Sequence, residues 1–329
     1  QNYYLWILIE LTFGIIGSFI LNYKINKEYP WLNANIKNGK RYFKRYPQII
    51  KSTRQVFVHK IKDFLLMQSD QILIFAFVSL KMVAYYGNYT LLTSKIILLF
   101  DSVLNSVSAG IGNLVAEGNN KKILNVFWEL MCIRYFIAGF VVAMVYLFIE
   151  PFITLWLGKE YILSHSILIL LMVNTYIILS RGVVDNFNYA YGHFADTWSA
   201  WAEGGLNLGI TFLLAPRFGV SGILLGKITS LILIVIWWKP YYLFKSGFKK
   251  EIQEYWKQVW KFYFIFSTSF FSILIIRSFI PVDIINWISF IKYNLVLTTI
   301  YLIIYSVQFL LFAPGIELLK TRIYSLIKH

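Results

Sequence analysis

The chain alternates long apolar runs with short polar stretches, and the runs have the length of a bilayer crossing. A hydrocarbon core of roughly 30 Å needs about 20 apolar helical residues at about 1.5 Å each. Nine such runs are read at 4–23, 63–80, 90–114, 127–149, 163–186, 195–214, 219–238, 262–280 and 287–311. The prolines at 30, 47, 151, 216, 240, 281 and 314 fall in connections or at run edges, which leaves the runs as unbroken helices. Strands of a membrane barrel would be about half as long and would alternate polar with apolar. The predicted fold class is therefore all-α, a polytopic membrane protein of about nine transmembrane helices.

Composition supports this: 58% of the residues are hydrophobic and only 14% charged, where soluble domains approach about a quarter charged. Aromatic residues make up 19% and collect at run ends, as in Tyr3, Tyr4 and Trp6, in Tyr85, Tyr86 and Tyr89, and in Trp237, Trp238, Tyr241 and Tyr242. An apolar ring with a polar tip is satisfied on both sides of a membrane interface. The net charge of +15 would suggest nucleic acid in a soluble protein. Here 22 of the 31 Lys and Arg lie in the connections 24–62, 115–126, 187–194, 239–261 and 312–329. Positive short loops stay in the cytoplasm, so the N-terminus is expected outside and the C-terminus inside, with membrane lipids rather than nucleic acid as partners.

Enzyme chemistry finds little support. The single cysteine, Cys132, excludes an internal disulfide and a multi-cysteine metal site. His59, His165, His193 and His329 all lie in connections or at run ends, and there is no Gly-rich nucleotide loop. No metal, cofactor or catalytic residue is expected. The chain opens at Gln1 without a signal peptide and is read as a piece of a longer protein. Residues 250–261 place Ile252, Tyr255, Trp256, Val259 and Trp260 on one helical face, as in a helix lying in the headgroup layer. The stretch 47–62, with Ile49, Ile50, Val56, Phe57 and Ile61 among basic residues, is a weaker case of the same pattern.

Ionisable side chains in hydrocarbon cost several kcal/mol, so each needs a partner or a wet cavity. Counted from the outer run ends, Asp70, Asp101, Glu203 and Lys227 all fall at roughly 12–17 Å depth, in one layer. Glu203 and Lys227 lie on consecutive antiparallel helices and are placed to pair. Asp70 and Asp101 are placed either to share a proton or to meet Arg134. Gln68, Ser69, Gln71, Asn105, Ser106, Ser108, Asn174 and Asn207 extend the polar set. Interhelical hydrogen bonding is the alternative for each, with Gly110, Gly112, Gly204, Gly205 and Gly209 allowing close backbone approach. For the layer as a whole, a water-filled cavity is the expectation. Arg181 and Asp185, four apart, read as a local ion pair.

From residue 63 to 118 the run DFLLMQSDQILIFAFVSLKMVAYYGNYTLLTSKIILLFDSVLNSVSAGIGNLVAEG resembles the polysaccharide (O-antigen type) flippases of the multidrug/oligosaccharidyl-lipid/polysaccharide exporter superfamily. The likeness continues in PFITLWLGKEY and in APRFGVSGILLGKI at 215–228. It implies two six-helix lobes that alternate between inward- and outward-open states, in the bacterial cytoplasmic membrane, moving an undecaprenyl-pyrophosphate-linked oligosaccharide. On that reading 1–62 is the last helix of the first lobe with a basic linker. Residues 63–238 are the complete second lobe, and 239–329 hold an amphipathic linker and two additional helices. The rest of the first lobe would be a missing partner.

Cationic cavity side chains attract pyrophosphate, which makes Arg134 and Lys227 the substrate-binding candidates, with Asn105, Asn174 and Asn207 beside them. Asp70, Asp101 and Glu203 are the candidates for coupling to an ion gradient. Two other readings compete. A cation-coupled multidrug exporter of the same superfamily would prefer an acidic cavity without basic residues. A membrane-embedded glycan polymerase or ligase would need a large external catalytic loop, for which the short outer connections leave little room.

Overall fold

The computed structural model describes residues 3–31, 39, 45–193, 196–280, 284 and 286–327, with the side chains of residues 3, 62–68, 326 and 327 outside the description. Gln68, one of the polar residues singled out above, therefore lies outside the described side chains. No strand occurs among the described residues. The chain divides into two units, Gln1–Arg54 and Gln55–His329. In the first unit, α1 (Tyr3–Glu28) exposes large apolar side chains along its length, Leu8, Phe13 and Phe19 among them. An apolar surface all round is one that lipid or neighbouring helices cover.

Helix α2 (Pro47–Phe77) leads into the second unit, which continues with α3 (Leu80–Leu104), α4 (Ser108–Glu117), α5 (Asn120–Trp156), α6 (His165–Ala190) and α7 (Thr197–Phe218). After these come α8 (Val220–Phe248), α9 (Ile252–Phe279), α10 (Trp287–Phe312) and α11 (Ile316–Ile327). Among the described residues, seven spans are long and apolar enough to cross a membrane: α1, α3 with α4, α5, α6, α8, α9 and α10. Helices α2 and α7 form where spans are expected but are not among the seven. Asp63, Asp70 and Gln71 dilute α2 within the expected span, and Glu203 and Asn207 dilute α7.

The helices run past the expected span limits. α5 has 37 residues, about 55 Å, and so exceeds the hydrocarbon core at one or both ends. Pro151 and Pro216 lie inside α5 and α7 rather than at their edges. Pro240 lies inside α8, where the turns widen and the Lys239 amide donates to the Ile234 carbonyl five residues back. Widened turns absorb the missing proline donor and its ring. Residues 250–261, expected to lie flat, are continuous with α9; Tyr255 and Val259 are buried, and Tyr255 packs beside Trp128 and Phe244.

Two departures occur in the α3 region. Helix α3 starts at Leu80, where the Ser79 side chain caps the Met82 amide, so the Tyr85–Tyr89 stretch read as a connection is helical. Burial of Tyr86 and Tyr89 holds it, with Tyr86 donating to Asp70 and Tyr89 accepting the Leu163 amide. The run expected to be continuous to 114 instead breaks at 105–107. Around that break Ser102, Ser106 and Ser108 each turn their hydroxyls onto the carbonyl three residues back, at 2.8, 2.6 and 2.7 Å. Such bonds compete with regular helix.

Helix α5 is central, with Phe127, Met131, Tyr135, Ala138, Val142 and Leu147 buried along it. Helices α7 and α8 approach closely at Gly222 and Gly226, where an added Cβ would collide with the Leu214 carbonyl at the first and with Thr211 and the Asn207 carbonyl at the second. The glycines expected to serve this purpose, Gly110, Gly112, Gly204, Gly205 and Gly209, face open space.

Candidate functional site

Next to the 105–107 break, side-chain oxygens at the end of α3 meet a buried cation. Arg134, on the central helix α5, is 2% exposed. Its guanidinium donates to Asp101 Oδ1 at 2.5 Å, to Asn105 Oδ1 at 2.5 Å and to the Leu179 carbonyl at 3.3 Å. Asn186 adds a longer bond to the same Asn105 oxygen, 3.4 Å. Gly182 leaves the room this requires, since a Cβ there would sit 2.5 Å from Arg134 Cζ. The cluster is lopsided: Arg134 is enclosed, whereas the Asp101 side chain is 30% exposed and Asn105 is exposed. A charge-assisted donor set with an accessible rim can exchange one anionic acceptor for another.

A second buried ion pair joins α2 to α8. Lys227 Nζ donates to Asp70 Oδ2 at 2.7 Å, and Tyr86 donates to the same oxygen at 3.1 Å. Both partners are shielded, with side chains 12% and 7% exposed. Lys227 therefore meets Asp70 rather than the Glu203 expected from chain order. Counted from the Gly219 turn, Glu203 lies about 24 Å along α7 but Lys227 only about 12 Å along α8, and this offset separates them.

The two pairs also occupy different depths, so the expected single layer does not form. Helices α2 and α3 turn at Val78 and Ser79, and Asp101 lies about 20 Å further from that turn than Asp70 does. The cause is the helical Tyr85–Tyr89 stretch, which extends α3 by two to three turns beyond the expected start. Asp70 and Asp101 are each matched with a cation and do not share a proton.

The remaining candidates are scattered. Asn207 and Glu203 are buried on the α7 face toward α8, and Glu203 feels the charge of Lys239. Asn174 is buried on α6, and its Oδ1 and that of Asn207 accept no hydrogen bond among the described residues. The Arg181–Asp185 contact forms at 3.5 Å and is joined by Lys239 at 2.8 Å. Beside it a cavity of about 20 Å³, room for about one water, is lined by His59, Asn188, His193 and Asp196. Sequence reasoning passed over Tyr86, Asn186, Gly182 and Lys239. Only the serine and asparagine cluster 105–108 carried a readable sign of the break.

Comparison with known protein families returns no match, and no curated protein matches the sequence. A solved structure of the lipid II flippase MurJ, in an inward closed conformation, aligns over 90% of this chain with a TM-score of 0.55 and 15% identity. The fold is shared. This chain spans 60% of that protein's length. The likeness is one of fold, and it does not single out the O-antigen branch.

Proposed function

We propose that this chain is the greater part of a flippase that carries an undecaprenyl-pyrophosphate-linked oligosaccharide across the bacterial cytoplasmic membrane by alternating access, together with the remainder of a first lobe. The observation that carries this reading is Arg134: a buried guanidinium at a helix break, with a counter-ion and an amide open at the rim. Broken helices at membrane depth favour ligand sites because they free backbone groups. A pyrophosphate offers the same oxygen acceptors as Asp101 and more charge, so it can take the guanidinium over. Lys227 with Asp70 would stay closed in this state and separate when α2 and α8 part. Asp70, Asp101 and Glu203 remain the groups through which an ion gradient would act. A cation-coupled drug exporter fits less well, because it would prefer acidic groups without basic partners, and here Lys227 and Arg134 stand beside Asp70 and Asp101.

The test uses the full-length protein in vesicles with a fluorescent undecaprenyl-pyrophosphate-linked saccharide, its sidedness read by an impermeant quencher. Arg134→Gln should slow flipping by at least about tenfold, the loss of one charge-assisted hydrogen bond set. Arg134→Lys should be intermediate because it keeps charge without the fork. Wild-type flipping by Arg134→Gln, in protein that melts normally, would end the proposal.

A further inference from the structure

The C-terminal helix α11 was read as part of a basic connection, yet it is fixed in place by three features. The turn before it is only 313–315. At about 3.5 Å per residue it allows a reach of about 10 Å from the end of the α10 span, so α11 starts at the membrane boundary. Gly315 adopts φ +80°, and a Cβ there would collide with the Trp128 carbonyl. The start of α11 is thereby set at the level of Trp128. Arg322 then reaches back to α5 and grips Glu129 with two bonds, 2.6 and 3.2 Å, where the Glu129 side chain is 8% exposed.

That level carries an aromatic belt. Trp128 packs near Tyr255, Trp237 lies 4.5 Å from Trp256, and Trp256 lies 5.9 Å from Trp260. Trp and Tyr in such numbers mark the headgroup layer. In this layer α11 turns Ile316, Leu319 and Ile323 to one side, with Thr321 and Ser325 opposite. Ile316 packs against the protein core and Leu319 is half-buried, whereas Ile323 is 48% exposed, so protein leaves the far end of that arc uncovered. Lys320 and Arg322 flank it, and Lys320 has only a surface contact with Glu317 to offset its charge.

We propose that α11 is an interfacial helix that packs Ile316 on the protein, seats the Leu319–Ile323 end of its apolar arc among acyl chains and presents Lys320 and Arg322 to anionic phospholipid headgroups. The occupant is the lipid surface, because a cationic flank beside an apolar arc at headgroup depth matches acidic lipid in charge, polarity and position. Arg322 serves both sides. Its fork holds Glu129 while its exposed half faces the headgroups.

The experiment places an environment-sensitive fluorophore at Ile323→Cys or Thr321→Cys in the full chain, where buried Cys132 gives little background. Vesicles are phosphatidylcholine alone or with phosphatidylglycerol. The label at 323 should be quenched by a lipid-borne spin label and shielded from iodide. The label at 321 should show the reverse, and phosphatidylglycerol should raise lipid quenching at 323 by about twofold. Lys320→Glu should remove that rise while leaving the Arg322–Glu129 contact intact. Iodide reaching both labels equally, a 323 label shielded from both quenchers as by a protein partner, or no response to phosphatidylglycerol would each overturn the proposal.

Discussion

The two buried ion pairs of this chain have the same chemistry and opposite accessibility. Asp70 and Lys227 join two unbroken helical stretches, and both side chains are shut in. Arg134 and Asp101 sit where a helix is interrupted, and only the cation is shut in. A pair closed on both sides mainly ties elements together, because neither charge can find a second partner without helix movement. A pair open on the anionic side keeps a desolvated cation available to an incoming anion. Charge at membrane depth alone does not separate these roles; exposure of the counter-ion and continuity of the backbone do.

The largest effect should come from breaking the closed pair. Lys227→Met leaves the Asp70 carboxylate buried without its cation, and loss of one partner of a buried pair costs about 3–5 kcal/mol. Adding Asp70→Asn should recover most of that loss, which denaturant unfolding in detergent would measure. If the single variant is as stable as wild type, the closed pair is not a tie and the contrast collapses. A smaller effect is expected at the open pair from Gly182→Ala. Its methyl would press on the Arg134 guanidinium, the end of a flexible side chain, so the stability cost should stay near 1 kcal/mol, the low end for overpacking. Flipping should fall more than stability does, because the guanidinium leaves Asp101 and Asn105. Equal losses in both readouts would make the cluster merely structural.

Much of this was legible in the chain and the rest was not, for identifiable reasons. Apolar runs of bilayer length located the helices of the second unit up to α10, except that α3 and α4 were read as one, since that signal is local and strong. Their ends were misjudged because Pro151, Pro216 and Pro240 were read as stops, although a helix end or a widened turn accommodates proline. Arg134 meeting Asp101 was one of two pairings open on sequence grounds. The Lys227–Asp70 bond crosses 157 residues, and nothing in local spacing prefers Asp70 over the nearer Glu203. Once Tyr85–Tyr89 was taken as a connection, every depth on α3 shifted and two separate pairs merged into one layer. The amphipathic pattern at 250–261 was real, but its apolar face packs on α5 and α8, while α11 lay unnoticed among basic residues.

A third charged cluster, at the connection after α6, tests whether the exposure argument holds outside the membrane. Asp185 and Lys239 pair at 2.8 Å there, and His193 lies close by in the connection itself. Asn188 gives its amide hydrogens to the Val184 and Lys239 carbonyls, so its Oδ1 accepts from His193 Nδ1 at 3.0 Å. Burial lowers the His193 pKa from the ordinary imidazole value of 6.5, and the charge of Asp196, which raises it, does not compensate. The folded state thus prefers neutral imidazole. The stability this provides is complete above 6.5, the unfolded value, and is lost as pH falls through the lower folded value. Thermal unfolding of wild type should therefore weaken between pH 7 and 5 more than that of His193→Gln, and this should be the smallest of the effects because the ring is half open to water. Parallel pH profiles for the two proteins would mean that His193 is solvated like a free side chain, and partial burial would then be a poor guide to which polar groups this fold holds tightly.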